Sequence, residues 1–171
     1  MIKKYAKCYW ITGLSAAGKT TLANMLTNYL RTNGNSVIFL DGDELQKVFG
    51  TKDYNLDNRL KAALRYSKLS SLIVKQQINV VISVIGLFHE VHQWNRKNIP
   101  GYVEIIIDVP MEELKRRDPK KLYERAKNGE IKNVYGLDIP AEFPKNPDVH
   151  LYWSPSKSKY KMMEELINSI F

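Results

Sequence analysis

Lys7-Cys8-Tyr9-Trp10-Ile11-Thr12-Gly13-Leu14-Ser15-Ala16-Ala17-Gly18-Lys19-Thr20-Thr21 is the stretch on which the fold turns. Residues 7–12 make an apolar, aromatic and β-branched run that reads as a buried strand. Gly13 to Thr20 then match G-x-x-x-x-G-K-[ST] in full, and residues 20–31 place Leu22, Met25, Leu26, Tyr29 and Leu30 at helical spacing. The glycines let successive backbone N–H groups curl round a β-phosphate, while the positive end of the helix faces the anion. Lys19 is placed to reach the β- and γ-phosphates, and Thr20 to offer its hydroxyl to Mg2+. Gly13 to Thr21 are therefore expected to bind ATP or GTP.

Working outward, Asn33-Gly34-Asn35 reads as a helix stop and turn, and residues 37–40 as a second strand ending in Asp41-Gly42-Asp43. A helix is expected over about 57–76, with Asp57 as its N-cap, followed by a strand at 80–84 and a helix at 89–98. Residues 102–109 form a fourth strand closed by Pro110. Helical segments at about 111–116 and 120–128 stop at Gly129, residues 131–147 are proline-rich and irregular, and 149–152 are a last short strand. Residues 156–171 carry Met162, Met163, Leu166, Ile167 and Ile170 on one side of a final helix. Strands apolar on both faces, alternating with helices, imply an α/β three-layer sandwich of the P-loop NTPase type. The expected sheet is mainly parallel, with about five strands, in one domain over residues 1–171.

Composition narrows the classes. A chain of 171 residues with 44% hydrophobic and 26% charged residues suits one globular core. No apolar run has signal-peptide or membrane-span length, so a cytoplasmic protein without a membrane partner is expected. Cys8 is the one cysteine, which excludes an intrachain disulfide and a cysteine-based metal cluster; a buried inert thiol is expected. His89, His92 and His150 show no metal-ligand spacing and read as surface or capping residues. The net charge of +8 could serve nucleic acid or a phosphorylated small molecule. Its densest group, Lys115 to Lys132, is interleaved with acids, which resembles a solvated ion-paired helix more than a polyanion stripe; no nucleic-acid partner is expected.

Two further elements carry chemistry. Asp41 and Asp43 lie at the carboxyl end of a strand, where open α/β sheets place ligands. One carboxylate would orient the proton of an acceptor hydroxyl and the other would hold Mg2+ through water or grip a ribose; Asp-Gly-Asp is also ordinary turn chemistry. The basic segment from Arg116 to Arg125 reads either as a plain surface helix or as a mobile helical lid over about 111–131. As a lid it would exclude water, with Arg117 and Lys120 bridging the transferring phosphoryl. No Asn-Lys-x-Asp for guanine and no Leu-Ser-Gly-Gly-Gln of transporter ATPases is present, which favours a kinase.

In order and spacing these elements resemble the adenylylsulfate (APS) kinase family. The resemblance rests on Gly13 to Thr21, Leu40-Asp-Gly-Asp43, Val81-Ile-Ser83, Arg117-Asp-Pro-Lys-Lys-Leu-Tyr123, Ala126 to Ile131 and Tyr135-Gly-Leu-Asp-Ile-Pro140. It implies an Mg-ATP-dependent transferase, commonly a homodimer, that phosphorylates the ribose 3′-hydroxyl of a nucleotide bearing sulfate on its 5′-phosphate. Carried over by position, Lys19, Asp41, Asp43, Arg117 and Lys120 would be catalytic. Asp43, Gln46, Tyr54, Arg59, Ala62, Ile82, Ser83, Lys120, Val134 and Tyr135 would meet the acceptor, with 131–148 as an acceptor loop.

The departures lie on the acceptor side. Gln46 stands where the family has arginine, Ala62 where it has asparagine, Val84-Ile85-Gly86 where it reads Pro-Tyr-Arg, and Val134 where an aromatic clamps adenine. Two cationic forks for an anionic tail and one stacking face are thereby lost. In this the chain is similar to a branch of the family, the cytidine diphosphoramidate kinases of bacterial capsule modification, which act on a pyrimidine nucleotide with a neutral terminal amide. Ser83 is expected to hydrogen-bond the acceptor or to serve structure. The competing expectations are a true adenylylsulfate kinase of sulfate assimilation, and a non-catalytic nucleotide- or nucleic-acid-binding module.

Overall fold

A computed structural model describes residues 6–50 and 55–171. The central strand β1 (Cys8–Thr12) is buried along its whole length, as its apolar run requires. After the phosphate-cradle turn comes α1 (Lys19–Thr32), then β2 (Val37–Asp41), α2 (Gly42–Phe49), α3 (Leu56–Lys75) and β3 (Asn79–Ser83). The second half runs α4 (His89–Asn98), β4 (Tyr102–Asp108), α5 (Met111–Arg117), α6 (Leu122–Lys127), β5 (Val149–Tyr152) and α7 (Lys159–Ile170).

All five strands are parallel, in the order β2-β3-β1-β4-β5. The chain steps outward from β1 to β2, then returns through β3 and crosses to β4 and β5. Because parallel crossovers are right-handed, this reversal puts α1 on one face of the sheet and α3 and α4 on the other. α1 accordingly packs on α7, and α3 on α4. Trp10, Ile11, Ile82, Ile105 and Leu151 from neighbouring strands fill the core, and Leu26, Leu87, Leu114 and Leu166 cover it. No described helix is long and apolar enough to cross a membrane.

The departures from the sequence expectation include one added helix and two helix starts. α2 was not expected: Asp41 ends β2 and at once caps a new helix, its side chain accepting from the Asp43 amide. α3 begins at Leu56, with Asn55 in place of Asp57 as the cap, because the Asn55 side chain reaches the Asn58 amide. α7 begins at Lys159 after a Ser158 cap, later than residue 156. Cys8 is fully buried and burial pushes its thiol up to about 12, in keeping with an inert side chain. His150 is exposed beside Asp108, and His89 is half-buried with its ring against the Phe143 carbonyl. His92, expected in a surface or capping role, is 7% exposed.

Candidate functional site

β1 delivers the chain into the cradle at Gly13, whose φ of +146° and tight approach to the Ile107 carbonyl leave no room for a side chain. Gly13, Leu14 and Ala17 form the buried back of the loop, and Ser15, Ala16, Gly18, Lys19, Thr20 and Thr21 line the open side. Gly18 in the left-handed region turns the chain into α1, so the helix's first amide groups face the cleft. The Lys19 ammonium folds back to donate to the Leu14 carbonyl at 2.7 Å. Burial pulls Lys19 down to about 8, with Lys120 pushing the same way and Asp43 and Asp41 opposing.

The tips of the next two strands meet the cradle. The hydroxyls of Thr20 and Ser83 both donate to Asp41 Oδ2 at 2.8 Å, and Asp41 Oδ1 accepts from the Asp43 amide at 3.0 Å. Burial raises the Asp41 pKa, but these bonds and the Glu44 amide outweigh it, so the carboxyl sits below its usual range. Thr20 and Asp41 thus place two hard oxygens side by side at the positive end of α1, a donor set that suits a largely hydrated Mg2+. Asp43, on the first turn of α2, has a different environment: among the described residues its carboxylate is paired with Lys120 alone.

α5 and α6 lie against the cradle. Arg117 Nη1 donates to the Ala16 carbonyl at 3.2 Å, its Nε to Glu113 at 2.7 Å, and its guanidinium lies over the Trp153 ring at 5.2 Å. The Tyr123 hydroxyl donates to the Ser15 carbonyl at 3.0 Å. Hydrogen bonds from Arg116 and then Arg117 hold Glu113 down at about 2, so a permanent carboxylate fixes the Arg117 fork. The rest of the segment is the ion-paired surface that its alternating charges suggest, with Lys121 beside Glu124 and Arg125 beside Glu130.

A cleft of about 600 Å3 joins these parts and continues between α2, α3 and the strap that follows β3. Gln46, Arg59, Ala62, Ser83, Lys120 and Tyr135 line it, together with the carboxylates. Arg59 donates to the Asn133 carbonyl at 2.7 Å and lies over the Tyr135 ring at 5.0 Å, while Phe88 meets that ring edge-on at 5.8 Å. Two expected acceptor contacts fall elsewhere. Ile82 is fully buried within β3, and the Val134 side chain is buried while its amide donates to Asp138, so Tyr135 is the residue of that pair that fronts the cleft. Tyr54 lies outside the described residues. Ala63, Tyr66 and Phe88 line the cleft without having been singled out from the sequence. Arg59, Ala62, Ala63 and Tyr66 recur at three- and four-residue spacing, so their sharing one helix face was the signal available.

The geometry has clear counterparts among known proteins. The family model described as "Adenylylsulphate kinase" matches residues 5–152. A cytidine diphosphoramidate kinase of Campylobacter jejuni is 39% identical over 135 residues, which are 79% of this chain and 79% of that protein. An adenylyl-sulfate kinase of Picosynechococcus is also 39% identical, over 82% of this chain and 80% of its own. Among solved structures, a Mycobacterium tuberculosis APS kinase in complex with AMPPNP and APS superposes with a TM-score of 0.88 at 32% identity, over 96% of this chain and 97% of that one.

Proposed function

Because the chain belongs to the adenylylsulfate kinase family, we propose that it moves the γ-phosphoryl group of Mg-ATP onto the ribose 3′-hydroxyl of cytidine diphosphoramidate. The observation that carries the acceptor choice is the wall formed by Gln46, Ala62 and Gly86, which line the cleft without a charge. Gly86 has a φ of +47°, and a Cβ there would stand 3.1 Å from the buried Trp10 ring. At this position the strap in this conformation therefore adds no side chain to the cleft, and the amide of Gln46 brings no charge to it. Such a wall suits a neutral phosphoramidate amide better than a sulfate, which calls for cationic forks. A relative at 39% identity that bears this activity in its name supports the same reading.

The two carboxylates divide the work by their partners. Asp41 spends its oxygens on two hydroxyls and two amides, so it serves as an anchor that orients Thr20 and Ser83. Bound beside Thr20 and Asp41, Mg2+ would neutralise phosphate charge. Asp43 keeps capacity for a new hydrogen bond, and on this reading it orients the acceptor hydroxyl and takes its proton as the oxygen attacks. Lys19, Lys120 and Arg117 surround the path of the phosphoryl group and balance the charge that spreads over its oxygens. Helices α5 and α6 act as the lid that keeps water away. Thr21 and the rest of the cradle hold ATP, and a homodimer in the cytoplasm completes the proposal.

Adenylylsulfate is the second acceptor to weigh, since an adenylyl-sulfate kinase is as similar to this chain and Arg59 and Lys120 still offer positive charge in the cleft. Acceptor-dependent ADP release measured with both nucleotides decides between them. A kcat/KM at least about tenfold higher for cytidine diphosphoramidate is expected, equivalent to one bidentate contact's worth of discrimination. A preference for adenylylsulfate would reverse the assignment.

A further inference from the structure

A second cleft, of about 420 Å3, shares no lining residue with the first. One side is α4, on which His89, His92 and Arg96 recur at helical spacing with Lys97 next to Arg96; Glu104 of β4 and Lys145 of the loop before β5 complete the lining. Its carboxylates are committed. Glu104 is bound by the Tyr102 hydroxyl at 2.8 Å and by Arg96 at 3.1 Å. Asp148, next to it, takes Arg96 and the Glu104 amide, and Glu142 takes the His89 amide at 2.7 Å. Lys97 and Lys145 are both exposed and have no carboxylate partner among the described residues.

His92 supplies the second observation. It is 7% exposed, yet neither ring nitrogen has a partner of full hydrogen-bonding geometry among the described residues; the Gly86 backbone is near enough to favour its charged form, which burial outweighs. Buried polar side chains without partners are rare in folded proteins, and one that lines a basic groove is explained by an anion or water that completes it. Burial pulls His92 down to about 4, with His89 and Arg96 adding to that effect and Glu142 opposing it. At neutral pH its imidazole therefore offers one N–H and one lone pair.

We propose that this groove is a binding site for a phosphate or phosphomonoester dianion, held between the Lys97 and Lys145 ammonium groups with the His92 ring turning its N–H onto a phosphate oxygen. Two cations from different elements, α4 and the loop before β5, satisfy two oxygens, and the buried imidazole gains a partner. The site does not depend on which nucleotide the kinase phosphorylates.

The chain's three histidines make ring NMR signals assignable by single substitutions. The experiment titrates inorganic phosphate into the full-length Lys19→Ala protein, in which the cradle's own phosphate grip is weakened, while following the His92 ring. A saturable shift with a midpoint of about 1 mM or below is expected, weakened at least about tenfold in Lys19→Ala/Lys97→Ala/Lys145→Ala. Lys97→Ala/Lys145→Ala in the otherwise intact chain should keep its kcat, which shows that the fold and the reaction site survive. A parallel titration with adenosine 3′,5′-bisphosphate distinguishes the sources: tighter lysine-dependent binding than phosphate identifies a nucleotide's phosphate, and equal binding identifies the free ion. A His92 signal that stays put with both probes, or that shifts equally without the two lysines, overturns the proposal.

Discussion

Lys19 is pulled down to about 8 because the loop that presents it also shields it from water. The free protein therefore carries this ammonium only partly protonated at pH 8, and a bound triphosphate restores the charge by supplying the anion that the cradle is built around. ATP binding at pH 8 should take up a fraction of a proton, visible as a calorimetric enthalpy that varies with the ionisation enthalpy of the buffer. At pH 6.5, where the free lysine is already charged, this uptake should vanish. Lys19→Ala should abolish it at either pH and lower kcat by about 10^2- to 10^3-fold, the usual loss when one charge-stabilising donor is removed. The same reasoning separates Asp43 from Asp41, since only the former has an oxygen left for the acceptor. Asp43→Asn should lower kcat by a similar factor while leaving the KM for ATP within about twofold.

At the scale of elements, the phosphate cradle depends on how closely β1 and β4 run together. A Cβ added at Gly13 would lie 2.6 Å from the Ile107 carbonyl oxygen, on a backbone at φ +146° that alanine does not adopt without strain. Gly13→Ala is expected to cost about 1–3 kcal/mol of stability, read from urea unfolding, and to weaken ATP binding as the loop is pushed off its strand. The strand–loop–helix core was legible in the sequence because every local preference agrees there: a buried β-branched run, glycines at the turn, an amphipathic helix after it. α2 was not legible, because Gly42-Asp43 reads as a turn until Asp41 is seen to cap the helix that Leu45 anchors into the core. That the cradle and the Asp41 and Asp43 carboxylates share one cleft follows from a motif after β1 and the strand end at β2, both readable in the sequence. Val134 and Ile82 were misplaced because neither the loop register nor the outward face of a strand buried on both sides can be read from its own residues.

On the scale of the whole molecule, His92 sits against the packing between α4 and the loop before β5, and its pKa of about 4 makes stability depend on pH. The unfolded chain binds a proton near pH 6.5 and the folded chain only near pH 4, so the folded state binds fewer protons in that window. Stability contributed by this group is complete above pH 6.5 and falls away as pH drops towards 4, by up to about 3 kcal/mol. In His92→Gln the decline between pH 6.5 and 4 should be shallower by most of that amount; parallel curves for the two proteins would show that another group drives the loss.

The sheet order has one further consequence. Asp41 closes β2, Ser83 closes β3, and the cradle grows from β1, three strands side by side with a spacing of about 4.8 Å set by their ladder hydrogen bonds. On the proposed reading, the gap between the outgoing phosphorus and the carboxylates that would receive the acceptor is thus gauged by stiff backbone. The residues proposed to tell one acceptor from another, Gln46, Ala62 and Gly86, sit on helices and a strap laid over that frame. Such an architecture lets lineages exchange the nucleotide they act on while the distance that the transfer must cross stays constant.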